Sequence, residues 1–238
     1  MKAMIFAAGL GKRLGEITDN IPKALVDING KTALHLAVEK CTADGFDDII
    51  INVHHFADLV EDEVHRLNKM GFKITVSDER AILLETGGGL YKAKDFFDKA
   101  PFLIYNVDII SDLDLMALYQ YHNEKRGLAT LAVRKRPGKR FYLIDDTGLI
   151  RGWRNNHTGE QILTSQTSGG LSEIAFSSMH VVQPEIFNYM HEGIYTMTSL
   201  YLKLAEKHNI YTYRSDEGYW GDVGTPESLE YIRKLLKK

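Results

Sequence analysis

Residues 2–23, KAMIFAAGLGKRLGEITDNIPK, decide how this chain is read. Residues 3–8 are a short apolar run that reads as a buried strand, and Gly9-Leu10-Gly11 then lets the chain turn sharply with its backbone N–H groups bare. Successive N–H groups in such a turn form a concave nest for phosphate oxygens. Arg13, a planar fork, and Lys23, a movable point charge, add the positive charge that amides only half supply. The stretch predicts a site for a nucleoside triphosphate.

Two commoner glycine loops do not fit. A dinucleotide fingerprint needs a third glycine at position 14, where the chain has Leu14, and a helix immediately after. Thr18, Asp19, Asn20 and Pro22 instead predict an extended loop, and the next strand ends at Asn52-Val53-His54 with no acid placed to hold a ribose. A Walker loop is excluded because Lys12 is followed by Arg13 rather than Ser or Thr.

The pattern Gly9-x-Gly11-x-Arg13-Leu14 followed by Pro22-Lys23 resembles the signature loop of the sugar-1-phosphate nucleotidylyltransferases. The resemblance extends along the chain through Glu85-Thr86-Gly87-Gly88-Gly89 and the seven residues 220–226, WGDVGTP. It is greatest for the short, single-domain members, such as the N-acetylmuramate-1-phosphate uridylyltransferases. It implies an α/β fold with a Rossmann-like, mixed but mainly parallel sheet and helices on both faces. It also implies that Ala7, Ala8, Gly9, Gly11, Arg13 and Lys23 grip the triphosphate, Arg13 and Lys23 catalytically. The segment through Gly88 would close over base and ribose, with Asp78 or Glu79 near the base edge. Glu85, Asn106, Glu173 and Ser177 would meet the acceptor, and Asp108 and Asp222 would bind Mg²⁺. The family usually has Gly before the first aspartate; Val107 stands there and threatens to crowd the nucleotide.

Composition bounds the rest. At 238 residues, 44% hydrophobic and 26% charged, the chain suits one large α/β domain, with a nucleotide half over about 1–110 and a sugar half over about 111–238. A net charge of −3 gives no general attraction to nucleic acid or an anionic membrane. No apolar run is long enough to span a bilayer, Met1-Lys2 leads straight into a strand, and the single cysteine, Cys41, has no internal partner. The cytoplasm is the expected compartment.

Taken in order, residues 32–42 predict a helix capped by Thr32, with Leu34, Val38 and Cys41 on its buried face. Residues 47–53, 57–69 and 73–77 continue as strand, helix, strand, which is the order of a parallel sheet with ligands at the strands' carboxyl ends. His54 and His55 point opposite ways in an extended chain and read as turn residues beside the cleft rather than metal ligands. After the glycines a helix is expected over 90–97. Residues 101–107 are nearly continuously apolar and predict a central strand with Asp108 at its end. Asp112 and Asp114 read as N-terminal residues of a helix over 115–125.

Beyond a strand at 128–133, the basic run 134–140 is expected to turn one or two cations towards the sugar phosphate. A hairpin (141–145 and 149–154) and a polar loop (155–170) follow, the loop expected as a lid over the acceptor. Residues 173–183 predict a strand presenting Ser177 and Ser178. Helices begin at Pro184 and Thr198, a strand runs over 210–214, and Thr225 caps a last helix begun by Pro226.

The expected reaction is attack by a sugar 1-phosphate oxygen on the α-phosphorus of a nucleoside triphosphate, releasing pyrophosphate. No side-chain nucleophile is needed, because the work is positioning and charge neutralisation. UTP with N-acetylmuramate 1-phosphate or a similar hexose 1-phosphate ranks first. A GTP-dependent mannose- or heptose-1-phosphate enzyme, a CTP-dependent phosphocholine enzyme and a non-catalytic nucleotide-binding homologue are the alternatives. Neither the oligomeric state nor the cation that meets the sugar phosphate can be read from the residues.

Overall fold

Apolar side chains alternate along the first strand, β1 (Lys2–Phe6), and so hold two layers of helices apart. In the computed structural model, which describes residues 1–167 and 169–237, Ala3 and Ile5 enter one apolar cluster and Met4 and Phe6 the other. A strand buried on both faces needs this two-sided run rather than an apolar/polar alternation.

The hairpin of β2 (Asp27–Ile28) and β3 (Lys31–Thr32) leads into α1 (Ala33–Ala43). There follow β4 (Asp48–Val53), α2 (Ala57–Lys69), β5 (Lys73–Asp78), α3 (Glu85–Lys92), β6 (Phe102–Asn106), β7 (Ile109–Ser111) and α4 (Leu115–Lys125). The second half runs β8 (Ala129–Arg134), β9 (Arg140–Ile144), β10 (Ile150–Asn155), β11 (Gln161–Leu163), β12 (Ser172–Val182), α5 (Met197–Leu204), β13 (Ile210–Arg214), β14 (Trp220–Asp222) and α6 (Pro226–Leu235).

The central sheet is mixed. Strands β5, β4, β1 and β6 are parallel neighbours, β12 joins β6 antiparallel, and beyond β12 the sheet divides. One branch continues through β8 to the parallel β13, the other through β9, β10 and β11. Helices α1, α2 and α4 cover one face and α3 and α5 the other. A third cluster, with Leu14, Ile110, Val223 and Leu229, seats α6 against the glycine loop.

The caps are as expected. Thr32 accepts the His35 N–H at 3.0 Å, Asp114 the Ala117 N–H at 2.9 Å, and Thr225 the Ser228 N–H at 3.2 Å.

Three local expectations need correction. The stretch after the glycine loop is not extended: residues Lys12–Thr18 and Lys23–Leu25 form 3₁₀ turns, kinked at Gly15 (φ 58°). The Thr18 hydroxyl tightens the first by donating to the Gly11 carbonyl at 3.2 Å. The helix expected over 90–97 begins at Glu85, so the three glycines lie inside it. The loop over 155–170 does not roof a cavity: its middle forms the edge strand β11 against β10, and none of its described residues lines the clefts. Ser168 of that loop lies outside the described residues.

Candidate active site

The carboxyl ends of β1, β4 and β6 converge on a cavity of about 310 Å³, walled by Ala8, Gly9, Leu10 and Lys23 on one side and Asn106, Val107 and Asp108 on the other. Parallel strands leave their ligand site at that edge because the chain must turn away there to enter the next helix. A larger cavity of about 860 Å³ opens beside it, between β9, β10, β12 and the start of α5. Phe6, Glu85, Thr86, Asn106 and Asp108 line both, so the two are continuous.

Gly11 adopts a left-handed conformation (φ 66°), and a Cβ there would press on Lys23 Cβ at 3.1 Å and Thr18 Cγ2 at 3.2 Å. The glycine thus lets the loop close over Lys23. The Ala7 N–H is already committed, donating to Asn52 Oδ1 at 2.8 Å; only the residues after it are free to meet phosphate.

Lys23 Nζ donates to the Asp108 carboxylate, both side chains being largely withdrawn from solvent. Asp222 joins them through the sheet: β14 pairs with β7, placing Asp222 opposite Ile109, and the Val223 N–H donates to Asp108 O at 2.9 Å. Arg13 Nη2 lies 4.0 Å from Asp222 Oδ1. Gly224 leaves room for this approach, since a Cβ there would come within 2.6 Å of Arg13 Nη2. Among the described residues no group of three or more His, Cys, Asp or Glu side chains is arranged to hold a metal by itself.

Glu79, expected near the base edge, lies beneath the cavity instead. It is 1% exposed; Oε1 accepts from Asn52 Nδ2 at 2.9 Å and Oε2 from the Leu84 N–H at 3.3 Å. Burial pushes its carboxyl above the ordinary value, with both hydrogen bonds opposing. Asp78 pairs with Arg80 at 2.8 Å on the surface, so neither carboxylate walls the cavity. His54 Nδ1 lies 2.7 Å from Glu79 O, and the His55 ring packs tilted against Phe56.

Gly88 is closely packed: a Cβ there would overlap the Gly193 carbonyl oxygen, and at Gly89 it would lie 2.6 Å from Glu79 Oε1. The glycine run therefore brings α3 down onto residues 193–195 and onto Glu79, and Glu85 (φ 60°) turns at its start to face both cavities.

In the sugar half, Asn106 and Glu85 stand where expected and Glu173 and Ser177 do not. Arg154 Nη1 holds Glu173 Oε1 at 2.8 Å and Asn156 holds Oε2 at 3.1 Å, outside the cavity lining. Ser177 is 0% exposed, with its hydroxyl 3.4 Å from that of Ser215. Ser178 lines the cavity in its place: the register of β12 against β8 shifts between Phe176 and His180, and Ser178 sits in the bulge at φ 62°.

Of the basic run, Arg134 and Lys135 turn towards Asp216, and Arg136, Lys139 and Arg140 line the cavity. Arg136 is the fixed one. Its guanidinium carbon lies 4.3 Å from the centre of the Trp220 ring, and Nη2 donates to Phe176 O at 2.9 Å. Nε is buried without a partner among the described residues, and burial pulls the guanidinium's pKa below its ordinary value, with Asp222 opposing. Arg136 lay within the basic run that the sequence marked, without being singled out there, and Asn52 was missed; a polar residue inside the apolar run of β4 was the signal for it.

Val107 is 5% exposed, packs into the cluster behind β6 and borders the smaller cavity without filling it.

The sequence matches the family described as "Nucleotidyl transferase" over residues 2–238. It is 27% identical to the N-acetylmuramate alpha-1-phosphate uridylyltransferase of Caulobacter vibrioides over 95% of this chain and 93% of that protein. The protein of the same name from Neisseria meningitidis is 28% identical over 99% and 98%. A putative glucose-1-phosphate thymidylyltransferase from Bacillus anthracis superposes with a TM-score of 0.80 at 19% identity, over 100% of this chain and 96% of that one, which is a likeness of fold. With the glycine loop, Lys23 and the two aspartates gathered at one sheet edge, the chain belongs to the nucleotidyl transferase family and is an enzyme of its sugar-1-phosphate nucleotidyltransferase class.

Proposed function

We propose that the protein joins a nucleoside monophosphate, taken from UTP, to an N-acetylated hexose 1-phosphate such as N-acetylmuramate 1-phosphate. The observation that carries this is the pair of continuous cavities meeting at Asp108: the smaller is sized for a nucleotide and the larger, with Arg136, Lys139 and Arg140 at its wall, for a phosphorylated sugar. Similarity to the two uridylyltransferases favours uracil and the muramate-type acceptor. Asp78 and Glu79 wall neither cavity, so neither carboxylate supports a choice among the bases.

The acceptor's phosphate oxygen forms a bond to the α-phosphorus, and the bond from that phosphorus to the oxygen bridging to the β-phosphorus breaks. Pyrophosphate leaves with the electron pair. Arg13 and Lys23 neutralise the triphosphate, Arg136 the acceptor phosphate, and the loop amides after Ala7 hold the phosphates in place. Asp108 and Asp222 suit Mg²⁺, a hard cation that completes its shell with phosphate oxygens and water and so needs few protein ligands. When bound, it would neutralise charge shared between the reacting phosphates. With Asp108 engaged in holding the cation, Lys23 would be free to face the triphosphate. The reading takes the chain as one domain, with the nucleotide half over about 1–110 and the sugar half over about 111–238. It goes with a cytoplasmic location, since both substrates are charged metabolites; among the described residues no helix is long and apolar enough to cross a membrane.

The test is pyrophosphate release from each of the four nucleoside triphosphates against a panel of sugar 1-phosphates with Mg²⁺. UTP with an N-acetylated hexose 1-phosphate is the expected best pair. Preference for GTP with mannose or heptose 1-phosphate would replace it, and no release with any pair would remove it.

A further inference from the structure

The deep end of the larger cavity holds a polar group that the transfer chemistry does not use. His180 lies on β12 opposite Ile104, two residues before the end of β6 at Asn106, and so roughly 7 Å below the sheet edge at Asn106. It is 2% exposed and lines the cavity. Its ring is fixed from two sides, edge-on to Phe176 at 5.3 Å and to Tyr201 at 5.5 Å between centres.

The proton on this ring can be placed by satisfying its neighbour. Tyr201 is 0% exposed, and its hydroxyl meets one polar atom among the described residues, His180 Nδ1, at 2.6 Å. If Nδ1 carried the hydrogen, the phenol would accept it and keep its own hydrogen buried with no acceptor, a costly arrangement. The phenol therefore donates to Nδ1, and the imidazole hydrogen sits on Nε2. Nε2 has no protein partner among the described residues and is not sealed off, so its N–H opens into the cavity. Burial keeps the ring neutral. The start of α5 adds little pull on an anion, because the Met197 N–H is donated to Thr86 Oγ1 at 2.9 Å and the Ser199 N–H to the Thr196 cap at 3.1 Å.

The geometry points to His180 as a specificity-determining residue that donates its Nε2–H to an uncharged oxygen on the acceptor sugar, at the end away from the phosphate. The inference rests on the reading of the larger cavity as the acceptor site. A hydroxyl and the carbonyl of an N-acyl group share the required chemistry. The depth of His180 below the sheet edge is on the scale of one hexose ring.

Steady-state kinetics of the full chain with wild type, His180→Phe and Tyr201→Phe test it, using glucose 1-phosphate, N-acetylglucosamine 1-phosphate and their deoxy analogues as acceptors. The His180→Phe variant is expected to raise the acceptor KM on the order of tenfold while the triphosphate KM stays within about twofold, and the penalty should vanish for the analogue lacking the recognised oxygen. Which analogue abolishes it separates hydroxyl from acyl carbonyl. Equal penalties on every acceptor, or on the triphosphate, would overturn the assignment. Nitrogen-15 spectra of labelled histidine read the tautomer without turnover: hydrogen on Nε2, with a shift on adding a sugar 1-phosphate, is expected in wild type. Hydrogen on Nδ1, or no shift at saturating acceptor, would overturn it even where the variant fails to fold. Absence of pyrophosphate release by wild type itself would strike the proposed function instead.

Discussion

The N–H of Val223 donates to the carbonyl oxygen of Asp108 at 2.9 Å, and this bond, with the pairing of β14 and β7, sets Asp222 beside Asp108. A carboxylate from the middle of the chain and one from near its end thereby reach one cavity, lined also by Arg13.

Substituting either carboxylate by its amide keeps the shape and removes the charge. Asp108→Asn and Asp222→Asn are each expected to lower turnover by about 100-fold or more at saturating Mg²⁺. Circular dichroism should report a native fold in both. Wild-type turnover in a folded variant would exclude that aspartate as a metal ligand.

Lys23 and Arg13 should separate kinetically. Lys23→Ala strips Asp108 of its cation and the leaving pyrophosphate of a neutralising charge, so kcat should fall by about 100-fold or more. Arg13 is more exposed and only 4.0 Å from Asp222, and Arg13→Ala should act first on the triphosphate KM, by about tenfold. Unchanged nucleotide affinity and rate in both variants would sink the loop assignment.

Gly88→Ala should cost stability rather than alter base choice. Its new methyl would overlap the Gly193 carbonyl oxygen, backbone that cannot rotate away, and the expected loss is about 1–3 kcal/mol in urea unfolding. Asp78→Ala, at a surface pair with Arg80, should leave the ranking of the four triphosphates intact. A changed ranking in either folded variant would return this segment to the base site.

Acid should weaken the fold before the carboxylates titrate. Burial pulls His122 down to about 4 and His180 down to about 3, so the unfolded chain binds more protons as pH falls below the ordinary histidine value near 6.5. Stability is complete above that pH and declines towards the folded values, by about 2 kcal/mol per imidazole between pH 7 and 5. The raised carboxyl of Glu79 acts in the opposite sense and trims the total. Urea unfolding at the two pH values should show the decline, and His122→Gln should remove about half of it. A flat profile would contradict the burial of both rings.

The sequence by itself determined the long strands of the sheet, most helix boundaries, the caps at Thr32, Asp114 and Thr225, and the glycine loop with Arg13 and Lys23, because these depend on periodicity, turn chemistry and backbone freedom within a few residues; the short strands β2, β3, β7 and β11 escaped it. Asp108 was legible for the same reason, as the acid just past the end of the apolar run of β6. Tertiary structure alone decided which polar side chains face the ligand. One bulge in β12 turned Ser177 into the core and Ser178 into the cavity, a change of face that alternation cannot foresee. Partners distant in sequence claimed others: Asn52 holds Glu79, Arg154 holds Glu173, and Gly193 fixes Gly88. The pairing of His180 with Tyr201 belongs to the same class, since a buried hydroxyl on a helix fixes the proton of a ring on a strand.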